Sequence, residues 1–167
     1  KLGLSHCLGL ANWKRQRQSW ADNLNGPVTP VAVAYADHQR FSAQDLSAVI
    51  ELAIACRVRF FLVDTFVKDG QCLFDFYTAA ELQQVLRPLR QYRIGIAIAG
   101  SLTHRVLDRV AQIRPDVVAV RGAICGNGVR SGSICGQQLA TFRKHLDEVC
   151  PNGAGFHRQN PGKPRWS

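Results

Sequence analysis

The run Asp64-Thr65-Phe66-Val67-Lys68-Asp69-Gly70 sets a carboxylate at the close of an apolar segment and a lysine four residues on. If the apolar segment is a strand and the remainder its following loop, both side chains reach one pocket. A lysine there can form a Schiff base or move protons, because burial or a neighbouring ammonium releases the neutral amine and Asp64 can orient it or shuttle a proton. The competing reading is an exposed turn, Lys68-Asp69-Gly70, carrying a solvated charge.

Gly100-Ser101 and Gly122-Ala123 follow two further apolar segments. Backbone N–H groups and helix N-termini at such places can bind phosphate, although a lone glycine after a strand is also an ordinary turn. Arg121 can pair with the bound anion or with Asp116, and Asp37 closes another apolar segment. The loop from Gly126 to Gly136 carries four glycines and reads as a phosphate-side loop or as a long irregular connection.

The elements that would position these groups alternate along the chain. Strand candidates are Lys1–Leu4, Val31–Ala36, Arg59–Val63, Ile94–Ile98 and Val117–Val120. Between them, sets such as Leu46, Val49, Ile50, Ala53 and Ile54, or Leu82, Val85, Leu86 and Leu89, have helical spacing. Ser42 and Thr78 are predicted N-caps, and Glu81 completes a capping box with Thr78. Strands recur roughly every 30 residues, the length of a βα unit. Several are apolar on both faces, which suits a parallel sheet covered by helices. A (β/α)₈ TIM barrel needs about 250 residues, so the pattern predicts the last five βα units of such an α/β barrel over residues 1–149. An open doubly wound sheet is the alternative. The Pro- and Gly-punctuated basic segment 150–167 is expected to be a flexible tail.

In 167 residues, 46% hydrophobic and 20% charged, there is material for one core. No apolar run approaches the roughly 18 residues of a membrane span, and the first twenty residues place an apolar stretch before a basic one, the reverse of a secretory signal. A soluble cytoplasmic protein with no membrane partner is expected. With no Met and Lys at position 1, the chain reads as part of a longer polypeptide. Its net charge of +9 suggests an anionic partner. Arg15, Arg87, Arg90, Arg105 and Arg109 are dispersed over several predicted helices, which argues against nucleic acid. The six cysteines form no Cys-x-x-Cys pair and the five histidines no ligand spacing, so buried reduced thiols and no metal are expected.

Together these segments closely resemble the (5-formylfuran-3-yl)methyl phosphate synthase family of methanofuran biosynthesis. The likeness is carried by Lys1-x-Gly3-Leu4, Ala34-Tyr35-Ala36-Asp37, Asp64-Thr65-x-x-Lys68-Asp69-Gly70, Leu73-Phe74-Asp75-Phe76, Ala99-Gly100-Ser101 and Val120-Arg121-Gly122-Ala123 followed by Cys125. It implies a barrel similar to class I aldolases, in which a lysine Schiff base joins two molecules of glyceraldehyde 3-phosphate with loss of phosphate and water, without cofactor. It further implies that Lys1 is an active-site lysine of the fourth strand and that Asp64 and Lys68 are catalytic, while the position of Gly100, Ser101, Arg121 and Gly122 after the last two strands matches the common barrel phosphate site. The family's Asp-x-Lys-Asn-Pro motif, whose lysine is its expected Schiff-base former, has no counterpart here. Its Gly-Asp-Arg is Gly128-Val129-Arg130, and its Gly-Val-Arg-Gly is Ala119-Val120-Arg121-Gly122. A homo-oligomer, or completion by a preceding segment, is therefore expected. The other classes open are a non-catalytic phosphate- or partner-binding protein and, less favoured, an RNA-binding surface.

Overall fold

Four of the five predicted strands fall within residues 12–22 and 29–151, which the computed structural model describes. Lys1–Leu4 and all but the start of the 150–167 segment lie outside the described residues. Strands β1 (Val31–Tyr35), β2 (Phe60–Asp64), β3 (Gly95–Ile98) and β4 (Val117–Val118) form one parallel sheet in the order β1-β2-β3-β4. Helices α1 (Trp13–Asp22), α2 (Leu46–Ala55), α3 (Ala79–Gln91), α4 (Leu107–Ile113) and α5 (Gly136–Val149) complete the regular elements.

Side chains alternate across a strand, so each strand contributes to two layers. Ala32, Ala34, Phe61, Val63, Ile96 and Ile98 share one core with the apolar stripes of α2, α3 and α4. Phe61, Leu82, Leu86 and Leu89 are among its fully buried members; burying such a side chain contributes about 1.5–3 kcal/mol. Val33 and Tyr35 point the other way, into a smaller cluster with Phe41, Ala43 and the partly buried Leu62 and Val67. The helices from α2 to α4 thus pack on one face, and the strand order does not reverse. A doubly wound sheet needs both a reversal and helices on both faces, and neither occurs among the described strands.

The capping box of α3 forms as expected: Thr78 Oγ1 accepts the Glu81 N–H at 3.2 Å and Glu81 Oε2 accepts the Thr78 N–H at 2.7 Å. The cap of α2 is Asp45 rather than Ser42, its carboxylate accepting the Ala48 N–H at 2.7 Å. Ser42 instead ends a 3-10 turn, His38–Phe41, in a left-handed conformation with φ 51°. Strand pairing in β4 stops at Val118, short of Val120, and Val118 and Val120 bridge the main core and the α5 cluster of Leu107, Ile124, Phe142 and Leu146. Cys125 is the fully buried cysteine among the described residues; Cys56, Cys72, Cys135 and Cys150 are half-buried, with Cys56, Cys72 and Cys150 packed against the apolar clusters.

Candidate functional site

The carboxyl end of β2 delivers the pair that the spacing anticipates. Asp64 belongs to the strand parity of Leu62, on the face away from α2–α4, and pairs with Tyr35 in the register of β1. Lys68 folds back so that Nζ donates to Asp64 Oδ1 at 3.0 Å, to Thr65 O at 2.5 Å and to Thr65 Oγ1 at 3.0 Å. Thr65 is buried, and the Lys68 and Asp64 side chains are 27% and 14% exposed. Lys68, Asp69 and Gly70 are exposed loop residues, as the turn alternative has it, but the Lys68 ammonium is hydrogen-bonded rather than free in solvent. Three acceptors around Nζ hold the Lys68 side chain in one position at the strand end.

Two contacts from the β1 side fix the loop that bears it. Asp37, buried beyond β1, accepts the N–H groups of Phe66 and Val67 at 2.7 and 2.9 Å. Arg40 donates to Gln71 Oε1 at 2.9 Å and to Asp69 Oδ2 at 2.7 Å. The Arg40 hydrogen bond, with the Gln71 N–H, holds the Asp69 carboxyl below its ordinary range. Burial, and then the charges of Asp64 and Asp37, push the Tyr35 phenol up, so it stays a neutral hydroxyl beside the pair.

Gly100, Ser101, Arg121 and Gly122 join Asp64 and Lys68 around one cavity of about 490 Å³. Gly100 has φ +101°, and a Cβ on it would stand 3.1 Å from both Thr65 Cγ2 and Thr65 N. Only glycine lets the β3 end approach the Lys68 seat this closely. Ser101 follows in the left-handed region at φ 50°. No acceptor among the described residues takes the N–H groups of Gly100, Ser101, Gly122 or Ala123. These donors come from loops and from the 3-10 turn Gly122–Ile124, not from α-helix N-termini as the sequence suggests. Arg121 donates to Gly132 O at 3.2 Å and not to Asp116, whose Oδ2 accepts the Ile96 N–H at 2.7 Å.

The glycine-rich loop adds Gly128 and Arg130 to the cavity wall. Arg130 is a cation of the site that the sequence does not single out: its only mark there is its place in the loop from Gly126 to Gly136. Lys1 lies outside the described residues. No group of three or more His, Cys, Asp or Glu among the described residues could hold a metal ion. No described helix is long and apolar enough to cross a membrane.

Fold and site define a parallel α/β protein whose strand ends hold a lysine–carboxylate pair beside a cavity lined by backbone N–H groups and by Arg121 and Arg130. The model of the 4-HFC-P synthase family matches residues 1–143, and the chain belongs to that family. It is 38% identical to a (5-formylfuran-3-yl)methyl phosphate synthase of Methanopyrus kandleri over 101 residues, 60% of this chain and 43% of that protein. It is 32% identical to the synthase of Methanocaldococcus jannaschii over 120 residues, 72% of this chain and 50% of that one. A putative synthase of Kitasatospora aureofaciens is 33% identical over 70% of this chain and 47% of its own length. The chain spans about half the length of the curated relatives it matches.

Proposed function

We propose that this chain supplies the carboxyl-side part of a cytoplasmic (5-formylfuran-3-yl)methyl phosphate synthase of the methanofuran type, a lyase with class I aldolase-like chemistry. Two triose phosphates then yield one phosphorylated furan aldehyde, one inorganic phosphate and two waters. The observation that carries the reading is the convergence of Asp64, Lys68 and four unpaired backbone donors on one cavity. A sequential parallel sheet with its helices on one face supports an arc of a TIM barrel.

In this reading the lysine of an Asp-x-Lys-Asn-Pro segment that is not part of this sequence forms the imine with one glyceraldehyde 3-phosphate, releasing water. Deprotonation gives an enamine, whose carbon attacks the aldehyde carbon of the second triose. Asp64 accepts the proton from carbon, and the Lys68 ammonium gives one to the oxygen that leaves; loss of one phosphate and two further waters as the furan forms, then hydrolysis of the imine by one water, closes the balance. Gly100, Ser101 and Gly122 donate N–H groups to a phosphate, with Arg121 adding its charge. Because the Asp-x-Lys-Asn-Pro lysine is not in this sequence, the reading includes completion by a segment that carries it. No metal or organic cofactor is invoked.

Borohydride trapping with glyceraldehyde 3-phosphate tests it, using the chain alone and mixed with the amino-terminal half of the Methanopyrus kandleri synthase. The mixture should give furan product and a substrate adduct by mass. A mixture that neither binds the triose phosphate nor forms product would favour a phosphate-binding protein without catalysis or refute the site altogether, according to whether inorganic phosphate still binds.

A further inference from the structure

The three helices covering the sheet end in the same way. Arg57, Arg93 and Arg114 stand one or two residues beyond α2, α3 and α4, with φ of 49°, 56° and 53°. A left-handed helix stop is unstrained for glycine and not for arginine, yet arginine occupies it three times. Arg59 precedes β2, and Arg87 and Arg90 lie in the last turns of α3. Parallel strands put all six at the amino-terminal end of the sheet, opposite the Lys68 cavity. Of the arginines whose dispersal along the chain argues against nucleic acid, this topology gathers Arg87 and Arg90 with Arg57, Arg59, Arg93 and Arg114.

All six arginines are exposed, and none forms an ion pair among the described residues. Arg90 is anchored, donating to Ile113 O at 2.6 Å and to Arg114 O at 2.7 Å. With Arg87 and Arg114 it lines a groove of about 840 Å³ between α3 and α4. The carboxylates nearby are few: Asp108 lines the groove, Asp116 accepts the Ile96 N–H, and Asp147 and Glu148 of α5 pair with Arg143 and Lys144. Tyr92, 62% exposed, stands next to Arg93.

We propose that this amino-terminal face binds single-stranded nucleic acid, its arginines seating consecutive phosphates and Tyr92 offering a stacking surface. Guanidinium forks match phosphate oxygens two at a time, which favours arginine over lysine for this task. Cations around an exposed aromatic ring hold a strand whatever its bases. An anionic membrane wants apolar side chains to insert, and the exposed large apolar residues described at this end are Tyr92 and Val117.

The test is anisotropy of a labelled single-stranded oligonucleotide of about 12 residues, RNA and DNA in separate arms, against the full chain over a salt series. Binding should weaken with salt at a log–log slope of about −3, as four or more phosphate contacts require. The triple variant Arg57→Gly, Arg93→Gly, Arg114→Gly relieves three left-handed positions, so it should melt no lower than the parent while losing at least tenfold in affinity. Arg15→Gln, Arg105→Gln, Arg109→Gln removes equal charge elsewhere and should change affinity less than threefold. Equal losses in the two variants, no binding at low salt, or binding of anionic vesicles or polyglutamate in place of the oligonucleotide would overturn the proposal.

Discussion

Asp37 holds Val67 in place: a carboxylate from the end of β1 grips the backbone of the loop after β2, one residue ahead of Lys68. Its second oxygen takes the Phe66 N–H, so both acceptors of a buried group are committed to the same loop. Hydrogen bonds to a charged acceptor contribute about 1.5–3 kcal/mol each. Asp37→Ala should therefore destabilise the protein by about 3 kcal/mol or more, and Asp37→Asn by less because one oxygen remains. Urea unfolding measures both; a variant as stable as the parent would show that the carboxylate does not clamp the loop.

Lys68→Ala should lower turnover of the completed enzyme at least about 100-fold, the usual range for removing a general acid or base, with little change in circular dichroism. Lys68→Arg should not rescue it, because a planar guanidinium cannot direct three protons to Asp64 Oδ1, Thr65 O and Thr65 Oγ1. Near-normal turnover of the alanine variant would remove Lys68 from the mechanism.

The two glycines of the cavity should respond differently to a side chain. Gly100→Ala meets Thr65 at 3.1 Å and must hold a positive φ, so the melting temperature should fall. At Gly122 a Cβ meets only Gly128 O at 3.7 Å. Gly122→Leu should keep the melting temperature within a few degrees and weaken binding of glyceraldehyde 3-phosphate in calorimetry. Unchanged affinity in Gly122→Leu would place the phosphate elsewhere.

Acid should loosen the start of α3. The Thr78 N–H first, and its hydroxyl second, hold the Glu81 carboxyl below its ordinary 4.5. A carboxyl depressed on folding adds stability that is complete above its unfolded value and lost as pH falls through its folded one. Thermal melts of the parent should show an extra acid-side decline below about pH 4.5 that Glu81→Gln lacks. Superimposable acid limbs would mean that the box contributes nothing.

Strands and helices were legible because burial on two faces leaves apolar runs such as Val31–Tyr35 and stripes such as Leu82, Leu86 and Leu89. The Thr78 box was legible because its partners are three residues apart. Ser42 misled because Ser-x-x-Asp also satisfies the pattern, and only the turn at His38–Phe41 reveals that Asp45 is the cap. The Asp64–Lys68 pair could be read from local spacing. What holds it in place could not, since Asp37 and Arg40 act across 29 to 31 residues of sequence. The same distance hides the gathering of Arg57, Arg93 and Arg114, which depends on parallel strands stacking their starts side by side.

The alternation within β2 has an evolutionary consequence. Asp64 faces the cavity only because it is in phase with Leu62, while Phe61 and Val63 serve the helix layer. Inserting or deleting one residue between Phe60 and Val63 would still leave an apolar strand, but would rotate the carboxylate into the helices and an apolar side chain into the chemistry. Point substitutions in this stretch can be absorbed one at a time. A frame slip cannot, so descendants of this sequence should vary in the composition of β2 while its length stays fixed.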